Sequence, residues 1–189
     1  MRTILLALTA LALSACQSAE EKRAAETGEI DATDATTEEV STLIKAAQPK
    51  AAMTPGKWTL ALRVASTDLS GLPASARAAQ EQAIKGLERA STACRTKDEL
   101  KPIDLSQLEK VAGSCTYPRY QSKGGKLDAV IACKKEGAPD TVLHASGTTG
   151  PNGFDVTLDQ KTGAPGQAGY IALTLRATGK RVGACPAAA

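Results

Sequence analysis

Cys115 and Cys133 stand at equal distances on either side of Gly124, and the runs SCTYPRYQ and LDAVIACK flank a Lys123-Gly124-Gly125 turn. Alternating runs separated by glycine form β-hairpins. With a three-residue loop Ser122 faces Lys126, and the same register sets Cys115 directly opposite Cys133. Facing residues in a non-hydrogen-bonded antiparallel pair approach closely enough for a disulfide. The remaining strands must build around this cross-linkable hairpin. The chain has only five aromatic residues, Trp58, Tyr117, Tyr120, Phe154 and Tyr170. Its core must therefore rest on Ala, Val, Leu and Ile, and such a thin core gains from covalent staples.

Disulfides need an oxidising compartment, and the N-terminus bears on that. MRTILLALTALALSAC carries one charge at Arg2, an apolar run from Ile4 to Leu13, and small residues before a cysteine. This is the layout of a secretory leader, too short to span a bilayer permanently. The ending Leu13-Ser14-Ala15-Cys16 resembles the bacterial lipobox. That resemblance implies a signal peptide over 1–15, cleavage before Cys16, and acylation of Cys16 as the lipidation site of an outer-membrane, periplasm-facing lipoprotein. Gln17, where aspartate commonly signals inner-membrane retention, favours the outer membrane. Acyl chains contribute about 0.8 kcal/mol per buried methylene and anchor the chain without a spanning helix. With Cys16 given to lipid, Cys94, Cys115, Cys133 and Cys185 remain, an even number that argues for two disulfides. The hairpin register favours Cys115 with Cys133, leaving Cys94 with Cys185, whose long loop restricts the unfolded chain. Without a CxxC pair or clustered histidines, a metal centre is not expected.

Residues 16–52 differ from 53–189. Between 17 and 52 lie eight acidic and four basic side chains and no aromatics, which reads as a flexible acidic tether. Within it, Thr36 and Glu39 form a capping box, and Val40, Leu43, Ile44 and Ala47 recur at helical spacing before Pro49. So short a helix is marginal alone and must dock on the domain or fray. From 53 onward the pattern is that of one β domain. KWTLALRVAS alternates, with Trp58, Leu60, Leu62 and Val64 on one face. An amphipathic helix is expected from Pro73 to about Ala90, with Ala76, Ala79, Ala83, Ile84 and Leu87 inward, and a shorter one over 105–111 capped by Asp104. Hairpins are expected over 114–122 with 126–134 and over 141–149 with 153–162, followed by a strand over 168–178 and a turn at Gly179-Lys180. The expected fold is mainly β (α+β): a curved antiparallel sheet of about six strands, an open half-barrel in geometry, with one main helix and two disulfides.

Pro55-Gly56-x-Trp58, the helical segment, Cys94-x-Thr96, the cysteines 115 and 133, and Gly183-x-Cys185 together resemble DUF3617, a family of Gram-negative envelope proteins. The resemblance spans 53–186 and implies export and a fold, with no assigned activity. That family's helical segment is often rich in Met and Pro, whereas here it is rich in Ala, so no role of methionines carries over.

No residue set specifies a reaction or a cofactor. His144, the single histidine, is the one candidate base for a hydrolase, but it lies inside an expected strand and no G-x-S-x-G elbow occurs. Asp128, Asp140, Asp155 and Asp159 fall at strand edges or exposed alternation positions and read as solvated. Gly147, Gly150 and Gly153 read as a hairpin rather than a phosphate loop, because no helix follows. Residues 53–189 carry 18 basic and 12 acidic side chains. Lys134-Lys135, Lys180-Arg181 and Arg95 with Lys97 suit anionic headgroups or an acidic partner, with a solubilising surface as the plainer reading. Basic residues are not interleaved with aromatics, which argues against nucleic acid. The expectation is a non-enzymatic lipoprotein that binds a partner protein or an amphipathic envelope molecule. The alternatives are a hydrophobic-ligand cup lined by 58–64 and 171–175, and a hydrolase using His144.

Overall fold

The structure, a computed structural model, describes residues 17–102 and 104–186; the leader and Cys16 lie outside the described residues. In chain order the elements are α1 (Ala19–Thr27), β1 (Ile30–Thr36), α2 (Thr37–Ala51), β2 (Gly56–Asp68), α3 (Ala74–Lys85), β3 (Arg89–Arg95), a 3-10 turn (Asp98–Leu100) and α4 (Ser106–Ala112). The strands β4 (Ser114–Lys123), β5 (Lys126–Lys134), β6 (Thr141–Gly150), β7 (Gly153–Thr162) and β8 (Ile171–Gly183) follow. All eight strands form one open antiparallel sheet in the order β1-β4-β5-β6-β7-β8-β2-β3. The mainly β expectation holds; among the described residues there are eight strands and four α-helices, where about six strands and one main helix were expected. None of the described helices is long and apolar enough to cross a membrane.

The cysteine hairpin reaches its expected pairing by a different route. Its turn is the two-residue Gly124-Gly125, with φ of 57° and 74°, so Lys123 faces Lys126. Glycine carries such left-handed pairs without steric penalty, and they match the twist of the flanking strands. That register alone would misplace the cysteines by one residue. Between Thr116 and Arg119, however, the ladder shifts, so that Tyr117 and Pro118 stand opposite the single Ile131. Proline has no N–H to give to a ladder and is tolerated at such a bulge. Beyond it Cys115 faces Cys133 with Cα atoms 4.1 Å apart, and the two are disulfide-bonded. The second bridge joins Cys94 to Cys185.

Residues 19–51, expected as a flexible tether, are instead folded. Ser18 and Glu21 cap α1, and Thr36 and Glu39 cap α2 in the reciprocal arrangement read from sequence. α2 runs on to Ala51 through Pro49, whose missing N–H costs only one bond in the last turn. Between the helices β1 pairs with β4, and Ile30, Ala32 and Ala35 turn inward. Val40, Leu43 and Ala47 of α2 and Ala24 of α1 join them, with Tyr117, Ile131 and the Cys115–Cys133 bridge, in the largest core cluster. Acidic composition suggested solvation, but four of the acids stand in the first helical turns and none is buried, leaving an apolar stripe to bury.

The opposite end of the sheet also departs from expectation. α3 stops at Lys85, and residues 89–95 form the edge strand β3, not the end of a helix. Of the expected inward face only Ile84 is buried; Ala79 and Ala83 are exposed and Leu87 is 38% exposed. Alanine methyls reach little of a neighbouring surface, so α3 touches the sheet chiefly through Ile84, against Leu69 and Leu173. Gly179-Lys180 does not turn the chain: β8 continues to Gly183, pairing Gly179 with Phe154 and Lys180 with Gly153 on β7, and the Phe154 ring occupies the space a side chain at 179 would need.

Candidate functional site

Trp58 is fully buried, and its indole Nε1 donates to the Thr54 carbonyl at 2.9 Å. The Thr54 amide in turn donates to Pro151 O, in the β6–β7 turn, at 2.8 Å, and the Arg181 amide donates to the neighbouring Asn152 O at 2.9 Å. Arg181 Nε closes the corner on Pro55 O at 2.9 Å. Gly56, at φ 150°, lies so close that a Cβ there would meet Gly183 O at 2.5 Å and the Arg181 guanidinium at 2.6 Å. The Pro-Gly-x-Trp stretch thus fastens the start of β2 to the end of β8 and to a distant turn. Thr96, two residues after Cys94, shares a reciprocal cap with Glu99: its amide and hydroxyl both donate to Glu99 Oε2, at 2.8 and 3.0 Å. These contacts lower the Glu99 carboxyl below its ordinary range, the backbone bond most. Each motif residue therefore has a structural task.

A family model described as "Protein of unknown function (DUF3617)" matches residues 53–185, a span containing this corner and both disulfides. The chain belongs to that family. Neither the curated proteins nor the solved structures gave a match. The DUF3617 span leaves out α1, β1 and α2, so the helical cap over β4 is built by residues preceding it.

One cleft lies across that boundary. Its volume is about 580 Å³, and its walls are α2, outside the DUF3617 span, and the 101–109 segment, inside it. Ile44, Pro102 and Leu105 supply apolar surface, while Glu38, Lys45, Lys101 and Asp104 bring charges of both signs. Thr37 and Glu109 also line it: the Thr37 hydroxyl donates to Glu109 Oε1 at 2.7 Å, and the Cys115 amide donates to the same oxygen at 3.2 Å. Beside Thr37 the Tyr117 hydroxyl is buried without a hydrogen-bond partner among the described residues. Burial pushes its phenol up; the adjacent Thr37 hydroxyl opposes that shift and the Glu109 charge adds to it. Asp104, expected to cap α4, lies one residue before its N-cap, Leu105, which has no side-chain cap; the Asp104 carboxylate accepts from the Ser106 amide at 3.0 Å.

A smaller cleft of about 280 Å³ lies on the polar face of the sheet, lined by Val142, His144, Asp159, Lys161, Ala172 and Thr174 among others. His144 Nε2 is 2.9 Å from Asp128 Oδ1, which also accepts from Arg119 at the same distance. The His144 bond does most to lower the Asp128 carboxyl below its usual range, with Arg119 adding to it. No hydroxyl or thiol is hydrogen-bonded to the imidazole among the described residues. The aspartates expected to be merely solvated are mostly partnered: Asp155 takes a two-pronged contact from Arg176, and Asp159 accepts from the Thr174 hydroxyl at 2.7 Å. Among the basic residues, Arg181 is engaged at the Trp58 corner, Arg95 reaches Glu99, and Lys135 donates to the Val111 carbonyl at the end of β5. Gly147, Gly150 and Gly153 lie in the β6–β7 hairpin. The inward faces of 58–64 and 171–175 bring Val64, Ile171, Leu173 and Leu175 against Leu69, Leu72 and Ile84.

No local signal could have revealed the larger cleft, since its walls are separated by more than fifty residues of sequence. The Asp128–His144 contact was readable only once the β5–β6 register, Val130 opposite His144, was known.

Proposed function

We propose that this protein is a lipid-anchored envelope protein that binds an amphipathic envelope molecule without transforming it, in the cleft between α2 and the 101–109 segment. The cleft's composition carries this reading: an apolar patch of Ile44, Pro102 and Leu105 beside Lys45, Lys101, Glu38 and Asp104, in a volume that suits a small ligand. The anchor reading rests on the leader and the Cys16 motif, and Gln17 supports the outer membrane. A cup lined by 58–64 and 171–175 has less support, because Val64, Ile171, Leu173 and Leu175 already pack against Leu69, Leu72 and Ile84.

The test is extraction of the mature protein in mild detergent, followed by intact and native mass spectrometry. An acyl mass on Cys16 and a co-purifying amphiphile, lost in a folded Ile44→Glu variant, are expected. A protein that emerges unacylated, or one that keeps the same amphiphile with Glu at 44, overturns the corresponding half of the proposal. A partner protein in the same cleft would appear instead as a protein mass dependent on Ile44.

The Asp128-oriented imidazole of His144 favours a second reading, hydrolysis. A hydrolytic activity abolished by His144→Ala would establish it.

A further inference from the structure

The two disulfides occupy opposite environments. Cys115 and Cys133 are 5% and 3% exposed, sealed under α2, whereas Cys94 and Cys185 are both exposed. Cys94 lies on β3, an edge strand paired among the described residues with β2 alone, and Cys185 lies two residues beyond the end of β8. Lys57 on β2 faces Cys94 on one side and Gly183 on the other, so the bridge passes over the strand that carries this lysine. Arg95 and Lys97 flank Cys94 in the chain. Glu99 takes up Arg95, whereas Lys57 and Lys97 have no carboxylate partner among the described residues. Solvent access and nearby cations are the conditions under which a cysteine departs readily as thiolate.

We propose that Cys94–Cys185 is a thiol–disulfide exchange site for a dithiol reductant, and that Cys115–Cys133 is a permanent staple. The reductant's thiolate attacks Cys185 Sγ, forming a mixed disulfide. The Cys94–Cys185 bond breaks, and its electron pair leaves on Cys94 Sγ, opposite the Lys57 ammonium, to be protonated by water. The reductant's second thiol, losing its proton, then attacks its own sulfur in the mixed disulfide and releases Cys185 as a thiolate that is protonated in turn. Two electrons and two protons pass from the dithiol to the bridge, and the reductant ends as its own disulfide. Opening unties the segment after β8 from the β3 edge, whose outer hydrogen-bonding groups then lose their covalent restraint.

The experiment uses the folded, oxidised full chain with any free thiol blocked. Dithiothreitol is added at neutral pH, samples are quenched with acid at intervals, and the new thiols are alkylated and mapped by mass spectrometry. Cys94 and Cys185 are expected to label at least about tenfold sooner than Cys115 and Cys133, with the far-ultraviolet circular dichroism retained. Simultaneous opening of both bridges, earlier opening of Cys115–Cys133, or loss of the β signal together with the first labelling would overturn the proposal. A Lys57→Glu variant is expected to open about threefold or more slowly, since the departing thiolate would face a carboxylate. An unchanged rate in that variant removes Cys94 as the leaving group.

Discussion

At the β1-β4-β5 end of the sheet, α2 lays Val40, Leu43 and Ala47 onto Ala32, Tyr117 and Ile131, with a buried disulfide among them. At the β8-β2-β3 end, α3 offers Ile84 alone, and the disulfide there lies in solvent. The first helix is amphipathic with branched side chains, and the second is amphipathic with methyls. Buried area per residue, not the angular pattern, decides how tightly a helix docks. The well-packed cap is contributed by residues that precede the DUF3617 span, while the loosely covered end lies within it.

A matched pair of truncations separates the two ends of the sheet by the widest margin. Leu43→Ala should cost about 3 kcal/mol of unfolding free energy, and Ile84→Ala about 2 kcal/mol or less, because its sparse surroundings can collapse. Urea denaturation of both variants measures the gap, and equal losses would mean that α3 is as firmly docked as α2.

High pH should strike the capped end next. Burial, with the neighbouring Tyr117 adding, pushes Tyr120 up to about 12, and burial also raises Tyr117. Unfolded tyrosine ionises near about 10, so between about pH 10 and 12 the unfolded chain sheds phenolic protons that the folded chain keeps. Stability is therefore intact below pH 10 and falls as pH rises through that window. Thermal melts of the parent and Tyr120→Phe should converge there; parallel melts at every pH would remove Tyr120 from the explanation.

Helix starts sharpen the contrast at smaller scale. Thr36→Ala removes a side-chain cap from α2 and should cost about 1 kcal/mol. Pro73, which gives α3 no side-chain cap, should change stability by less than about 0.5 kcal/mol on replacement by Ala. Chemical denaturation of the two variants compares them directly.

The smallest effect is expected between the ends, at Asp128. Its bonds to His144 and Arg119 lower its carboxyl, so its contribution is present above about pH 4 and lost as pH falls through its folded value. The group is well exposed, so only a slight flattening of the acid limb in Asp128→Asn is expected, read from melting temperatures between pH 5 and 2.

What the sequence revealed and what it hid divide along physical lines. The hairpins 114–134 and 141–162 were legible because their turns need glycine, proline or asparagine at fixed offsets from alternating runs. β1, IDATDAT, was not: its acids and threonines suit solvent, and Ile30, Ala32 and Ala35 become an inward row only against β4. The ladder also skips Asp34, which adopts φ 51°, a break that no two-residue period reveals. β3 hid behind alanines that continue the composition of α3. The cleft was invisible for a different reason: α2 supplies one wall and 101–109 the other, and only the folded sheet makes them neighbours.

Pro118 and its neighbour Tyr117 act on the hairpin as a one-residue spacer between two incompatible phases. The tight glycine corner imposes one phase and the sulfur pair requires the other. If the ladder ran regularly through this point, with both residues paired in turn, Cys115 would face Lys134 and lie on the opposite surface of the pleat from Cys133. The corner and the crosslink coexist because the bulge absorbs one residue, so the more deeply buried of the two bridges depends on a position that contributes no sulfur to it.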